Sequence, residues 1–449
     1  MSNTNVTTED KQEANVELKQ LYPNPWLRIG YAARKEGVMF GGLLCHFNAE
    51  TLREAYNALD PSKAVGLDGI SKKVYGENLD GNLEDLVTRI HKGSYKPQVK
   101  REVLIPKADG KKRPIAISVF EDKLVEWVLG KVLESMYEPI FIRNSFGFRK
   151  NKSTHQAIQA TYHSLKGDNR SNVVEIDFAN FFNSIPHRKL MKILSQRTND
   201  SRFKSLIGRF LKAGILEQSG RLSQPSSGTA QGSVMSPILA NIYLHVVLDT
   251  WFLENYASYN SIIVRYADDA VFFFRSKAKA DQFTESLGER VKAYGLELNL
   301  EKTNIINFKV EGNNSFTFLG FTFYWDKKRR GIKPSLKFKT QKKRLLKKIH
   351  EFSHWIKSIR SQMKLQKIWE LAKLKLIGHY NYYGYGCNRA KLSHFYHEAI
   401  RSLFKWLNRR SQKKSYTWGS FWRRLQNIPL PTPPPMYKLK HLKNRGAYV

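Results

Sequence analysis

The sequence predicts an α+β fold in which helices pack on antiparallel sheet, followed by an all-helical C-terminal domain. Three observations carry this expectation. The run SIIVRYADDAVFFF at 261–274 sets β-branched and aromatic residues on both sides of two adjacent acids, which reads as a β-hairpin with Asp268 and Asp269 at its tip. A second apolar run, VVEI at 173–176, ends on a single acid, Asp177. From residue 333 onward strand signals give way to apolar residues at helical spacing among lysines, arginines and tryptophans. With 449 residues the chain can bury sizeable cores and is expected to form two or three domains.

Charge narrows the class of partner. Lysine and arginine number 75 against 39 aspartates and glutamates, a net charge of +36. A compact fold with that charge repels itself unless a polyanion is bound, so nucleic acid is the expected partner. A membrane surface competes for the same charge, but no apolar run is expected to reach spanning length, and the first residues lack a signal-peptide apolar region. Two cysteines, Cys45 and Cys387, supply neither a disulfide framework nor a Cys-rich zinc module, and they fit a reducing cytoplasm.

In chain order, the first 20 residues are polar and expected to be disordered. Residues 26–47 mix aromatics with cations, which suits either an RNA-binding helical extension or a helix packed on the next domain. Residues 49–59 have helical spacing, and GLDG at 66–69 reads as a turn. Residues 95–117 predict a two-stranded ribbon turning at Asp109-Gly110, with Lys107, Lys111, Lys112 and Arg113 at a basic tip suited to a triphosphate. Helices are expected at 121–137, 156–165, 188–216, 238–244 and 281–294, and an alternating strand pair at 316–323. The Pro-rich tail from Ile428 should be extended. His394 and His397, three apart with no carboxylate or cysteine pair beside them, are not read as a metal site.

The acids carry the chemistry. Alone, an Asp-Asp turn is most often a solvated turn, while two like charges held together call for a compensating cation. If 173–177 and the hairpin share a sheet, Asp177 and Asp268 can face two Mg²⁺ ions, the arrangement that clamps attacking and leaving oxygens in phosphoryl transfer. The motifs YADD at 266–269 and DFANFF at 177–182 resemble those of reverse transcriptases of the group II intron-encoded type, and further matching segments run from near residue 50 to near residue 425.

That resemblance implies a right-hand polymerase: an N-terminal extension over 1–48, fingers over 49–165, a palm over 166–330, a helical thumb or maturase-like domain over 331–427 and a basic tail over 428–449. It implies an RNA-directed DNA polymerase using two Mg²⁺ ions, deoxynucleotides, an RNA template and a DNA product or primer. Asp177, Asp268 and Asp269 would be catalytic, with Phe178 joining them around the metals. Lys107, Arg113, Phe182, Gln231 and Lys302 would contact the nucleotide, Phe182 as the ring that excludes a 2′-hydroxyl. Arg149, Lys152, Tyr266, Leu319 and Gly320 would contact template or primer.

The chain departs from the family pattern at four places: Lys150 and Lys152 stand where Pro and Arg are usual, Ala230 replaces a Pro and Ser233 a Gly. No His/Cys endonuclease cluster follows the tail. The resemblance leaves three roles open: a general reverse transcriptase, an intron-splicing maturase, and a domesticated antiphage-defence enzyme acting with a dedicated non-coding RNA. Oligomeric state is not legible.

Overall fold

The computed structural model describes residues 24–106, 112–166, 170–326, 334–411 and 415–435. Three sheets organise it. The ribbon expected at 95–117 forms as β1 (Lys100–Pro106) and β2 (Lys112–Ile117), antiparallel with Arg101 opposite Ile117 and Pro106 opposite Lys112. Two short strands, β4 (Ile215–Leu216) and β5 (Leu222–Ser223), extend it in the order β2-β1-β4-β5, so the helical stretch expected at 188–216 ends earlier than its apolar pattern suggested. In its place are the helices His187–Leu194 and Ser201–Leu211, the second started by Asp200, whose carboxylate accepts from the Phe203 amide at 2.9 Å. Of the predicted basic tip, Lys107 and Lys111 lie outside the described residues, while Lys112 and Arg113 open β2.

The second sheet has the order β6-β7-β3-β8, from β3 (Asn172–Ile176), β6 (Ile262–Tyr266), β7 (Asp269–Phe274) and β8 (Asn304–Asn307). Its central strands are buried on both faces, which is why their sequences read as nearly continuous apolar runs. The third sheet, β11-β10-β9, contains β9 (Phe316–Phe318), β10 (Phe321–Asp326) and β11 (Ser335–Thr340).

The helices expected at 49–59, 121–137, 156–165 and 281–294 form close to their predicted limits. Ala49–Ala58 is closed by a capping box between Asn48 and Thr51, and Thr154–Leu165 by one between Ser153 and Gln156. Phe120–Tyr137 buries Leu124, Val128, Val132 and Met136 completely, as its stripe predicted. The expectation that no apolar run reaches spanning length is corrected: Ser236–Tyr259 is one continuous helical run of 24 residues, apolar enough by composition to cross a membrane. Most of it is buried inside the protein, so its apolarity is that of a core helix.

The described chain divides into two compact units, which cut across the fingers, palm and thumb order. One comprises Met1–Lys152, Ile176–Ala270 and Gln282–Thr303, and holds every predicted catalytic acid. The other comprises Ser153–Glu175, Val271–Asp281 and Asn304–Val449. Four helices dominate the second unit: α1 (Lys342–Ile359), α2 (Leu365–Tyr383), α3 (Arg389–Leu407) and α4 (Trp418–Asn427).

Candidate active site

The hairpin turns on two residues, Ala267 and Asp268, between β6 and β7. Ala267 has φ 58°, a left-handed conformation that a Cβ disfavours by roughly 1–2 kcal/mol. Its surroundings impose it. Arg265, fully buried two residues earlier on β6, donates through Nη1 to the Ala267 carbonyl at 3.0 Å and to Asn241 Oδ1 at 3.0 Å. Its Nε reaches Asp249 Oδ1 at 2.7 Å, and its Nη2 the other oxygen of that carboxylate. Asn241 in turn donates to the Gly147 carbonyl at 2.7 Å. Gly147 lies so close that a Cβ there would stand 2.2 Å from the Ala267 nitrogen, so any side chain would displace the turn. Residues 144–146 also flank β6, with the Arg265 amide donating to the Asn144 carbonyl at 2.9 Å and the Phe146 amide to the Arg265 carbonyl at 2.8 Å. Sequence reasoning missed this support, although a charged residue inside an otherwise apolar strand was its visible signal.

The other acid follows β3. Residues 177–179 pair with 297–299: the Asn299 amide donates to the Asp177 carbonyl at 2.7 Å and the Ala179 amide to the Glu297 carbonyl at 2.9 Å. Phe178 opposes Leu298 in that bridge, and neither hydrogen bond uses the Phe178 carbonyl. Asp177 Oδ2 accepts from Lys302 Nζ at 2.9 Å. Asp268 is raised above the ordinary carboxylate range, first by burial and then by the charge of Asp177, against the lowering effect of its own amide, Arg113 and Arg265. The two carboxylates therefore stand in each other's field.

A half-buried acid in the field of a like charge, beside a Phe178 carbonyl that neither bridge hydrogen bond uses, fits a divalent cation held by oxygen. Asp269 opens β7 on an exposed position, and among the described residues no group of three or more acid, histidine or cysteine side chains gathers as a metal cage. The pair that fits a metal is Asp177 with Asp268, leaving coordination positions for substrate oxygens.

Around this pair the first unit assembles the segments expected to contact a nucleotide. Asn180 takes φ 48°, turning the chain so that Phe178 and Phe181 go into the core while Phe182 stays half-buried, edge-on to Phe148 at 6.3 Å. The loop 228–237 folds back on it. The Thr229 amide donates to the Phe182 carbonyl at 2.7 Å, and the Gln231 carbonyl accepts from the Ala116 amide at 2.7 Å. Gly228 and Gly232, at φ 91° and 108°, permit both approaches, since a Cβ at Gly232 would lie 2.7 Å from the Ala116 carbonyl. Beyond them the Val234 amide is held by Glu126, itself buried with Lys100 in an ion pair of 3.0 Å. Gln231, Asn183, Thr229 and Glu102 line a cleft of about 240 Å³. The charge of Arg113 acts to lower Asp268, against the effect of burial.

The template candidates divide. Tyr266 is half-buried at the end of β6. Lys152 lies over the Phe146 ring at 5.4 Å. Arg149 ties the 144–152 turn: its guanidinium is bonded to Glu138 at 2.8–3.1 Å and to the carbonyls of Ile142 and Ser145 at 2.7 Å. Leu319 and Gly320, in the second unit, form the two-residue tip between β9 and β10 with φ 50° and 81°. The Leu319 carbonyl accepts from Tyr382 Oη at 3.0 Å.

The sequence is similar to several known proteins. A family profile described as reverse transcriptase (RNA-dependent DNA polymerase) matches residues 105–323. Protein YkfC of Escherichia coli (strain K12) is 31% identical over 319 residues, which cover 63% of this chain and 82% of that protein. The group II intron-encoded protein LtrA of Lactococcus lactis subsp. cremoris is 35% identical over 201 residues, 44% of this chain and 33% of LtrA. Apo telomerase from Candida tropicalis, truncated from its C-terminal domain, superposes with a TM-score of 0.39 at 16% identity, over 57% of this chain and 59% of that one. The chain thus spans a third of the intron-encoded relative and under two thirds of the telomerase chain. With the profile over the segment that contains both acids and YkfC matched over most of its length, the chain belongs to the group II intron-like reverse transcriptases, a family of right-hand RNA-directed DNA polymerases.

Proposed function

We propose that this chain extends a primer 3′ end along an RNA template, adding deoxynucleotides at Asp177 and Asp268 with two Mg²⁺ ions. The observation that carries the reading is the half-buried Asp268 held in the field of Asp177, with Lys302 as the counter-charge of Asp177 at 2.9 Å. When bound, the metals supply Lewis-acid stabilisation to the attacking and leaving oxygens. Asp177, Asp268 and the Phe178 carbonyl are the residues that would hold them, with Asp269 supporting from the start of β7. Arg113 presents a planar fork to the nucleotide's phosphates, and Lys302 keeps a protonated amine beside Asp177, able to donate toward the leaving group. Phe182 bounds the space for the sugar, and Gln231 orders nucleotide and template base.

The test is primer extension on a short RNA template with Mg²⁺ as the only metal. Deoxynucleotide incorporation that disappears in Asp268→Asn, while the variant melts like the parent, supports the reading; incorporation equal to the parent's sinks it.

A second reading, RNA binding in aid of intron splicing, is favoured by the second unit, where Trp418 and Trp422 are 43% and 47% exposed among cationic helices. Exposed indoles suit unstacked bases. RNA that stays bound through a high-salt wash separates the roles: intron sequence favours the maturase, and a short neighbouring transcript favours a dedicated non-coding RNA. The two free, exposed cysteines suit the cytoplasm as the site of action.

A further inference from the structure

Trp406, near the end of α3, is ringed by cations. Lys357 and Arg360 come from the end of α1, and Lys405 and Arg409 from α3, with charge centres 5.6, 5.2, 5.1 and 5.5 Å from its ring. The indole cannot turn outward to meet a base, because its Nε1 donates to Ser353 Oγ at 3.0 Å on α1. Arg410 adds a fifth cation, bonded to the Met363 carbonyl at 2.8 Å.

Part of this charge has a structural use. Arg360 donates to the Lys357 carbonyl at 2.5 Å and to the Arg409 carbonyl at 3.1 Å, so the cations close the adjoining C-terminal ends of α1 and α3. Two helix ends together present roughly one negative charge, about half a charge each. Five cations are far more than that requires. None of the five forms an ion pair with a carboxylate among the described residues, whereas the preceding turns pair Lys348 with Glu351 and Arg401 with Glu398. Acids are thus present along both helices and absent from their shared end.

From this excess we infer that the Trp406 cluster is an anchor for the phosphate backbone of RNA, in which the indole spaces the cations instead of stacking a base. RNA is favoured over DNA because Trp418, stacked on Phe404 of the same α3 at 3.8 Å, and Trp422 one turn further on α4 remain exposed for unstacked loop bases. The inference deepens the RNA-binding reading of the second unit and stands apart from the polymerase acids.

The experiment measures binding of the full chain to an RNA hairpin with an unpaired loop as salt is raised. Each phosphate contact contributes about 0.7 to the slope of log affinity against log salt for single-stranded nucleic acid. Combining Lys357→Gln, Arg360→Gln, Lys405→Gln and Arg409→Gln should lower that slope by about 3. Because Arg360 also closes a helix end, the pair Lys405→Gln with Arg409→Gln is the second variant, with an expected fall of about half as much. Trp406→Phe, which keeps a ring, should leave the slope near that of the parent. An unchanged slope in a variant that melts like the parent overturns the anchor. An equal fall on a fully paired DNA hairpin overturns the assignment to RNA. Extension of a short primed template by the parent is scored separately, so failure of the polymerase reading is distinguishable from failure of the anchor.

Discussion

Lys302 Nζ stands 2.9 Å from Asp177 Oδ2, so the acid that would carry a metal is already neutralised by an amine when no metal is bound. Both partners are open to solvent, and the bond is one that a divalent cation can displace. Two effects of Lys302→Met are therefore expected together. Turnover falls by roughly 10²-fold, the lower end for loss of a positioned proton donor. The Mg²⁺ concentration for half-maximal extension also falls, because Asp177 no longer has a competing counter-ion. A magnesium titration of both proteins checks this; an increased requirement would mean that Lys302 helps to seat the metal.

Asp177→Asn and Asp268→Asn should each reduce nucleotide addition by about 10³-fold or more, since a lost metal ligand removes several kcal/mol of transition-state stabilisation. Neither should lower thermal stability, because each replaces a like-charge neighbour with a neutral amide. Melting curves beside extension assays decide it. A large drop in melting temperature would make the acids structural.

Phe182→Ala should raise ribonucleotide use relative to deoxynucleotide use by about tenfold, equal to about 1.4 kcal/mol of lost discrimination. The ring is half-buried while its neighbours Phe178 and Phe181 are buried, so its removal opens space toward solvent more than it empties the core. An unchanged ratio in competitive extension would assign Phe182 to packing alone.

Breaking the Arg265–Asp249 pair should cost stability as well as rate. Both side chains are fully buried, and removing one partner of such a pair typically costs roughly 3–5 kcal/mol. Asp249→Asn also loosens the donor to Ala267, so turnover should fall while nucleotide KM changes little. Chemical denaturation and steady-state extension measure the two effects. A KM rise at constant turnover would place the network in nucleotide binding.

His245 predicts an acid-side loss of stability. Burial, aided by Arg265, Arg149 and Arg197, pushes it down to about 4 despite nearby Asp249. The folded protein holds it neutral while the unfolded chain protonates it near 6.5, so its contribution is full above pH 6.5, declines as pH falls and levels below about 4. That decline is worth about 3 kcal/mol. Asp122 has the opposite sign: burial raises it to about 7, so stability from it is lost as pH rises from 3.8 to about 7. Denaturation of His245→Leu across this range should lose the acid-side slope and keep the other. A slope unchanged by the substitution would assign the acid sensitivity to other groups.

Much of the site could be read directly because it is local. Each acid follows an apolar run, and the hairpin and the DFANFF turn need only adjacent residues for their definition. What stayed hidden depends on pairings between distant residues. Nothing in the sequence around Arg149 announces that Glu138 will take its guanidinium. The strand at Ile215–Leu216 was hidden because two residues carry no pattern of their own, and it is defined by pairing with Lys100 and Arg101 of β1 and with β5. The contact of Gly147 with Ala267 follows from tertiary packing alone.

The helical run Ser236–Tyr259 passes through a π-helical turn at His245–Thr250, and Asp249 is displayed from it. A π turn bonds i to i+5 where an α turn bonds i to i+4, so it amounts to one residue inserted without breaking the helix. The segments before and after it are therefore phased differently about a common axis. Deleting a single residue here would give a smoother, more regular helix by local rules. It would also rotate one half of the run by about 100° against the other, carrying either Asp249 or the buried Phe252 and Tyr256 off the faces they now occupy. The irregular turn is thus a register mark. It lets one helix meet two timetables of packing, the core's and the catalytic hairpin's, and alignments of related chains should place gaps on either side of these six residues and not within them.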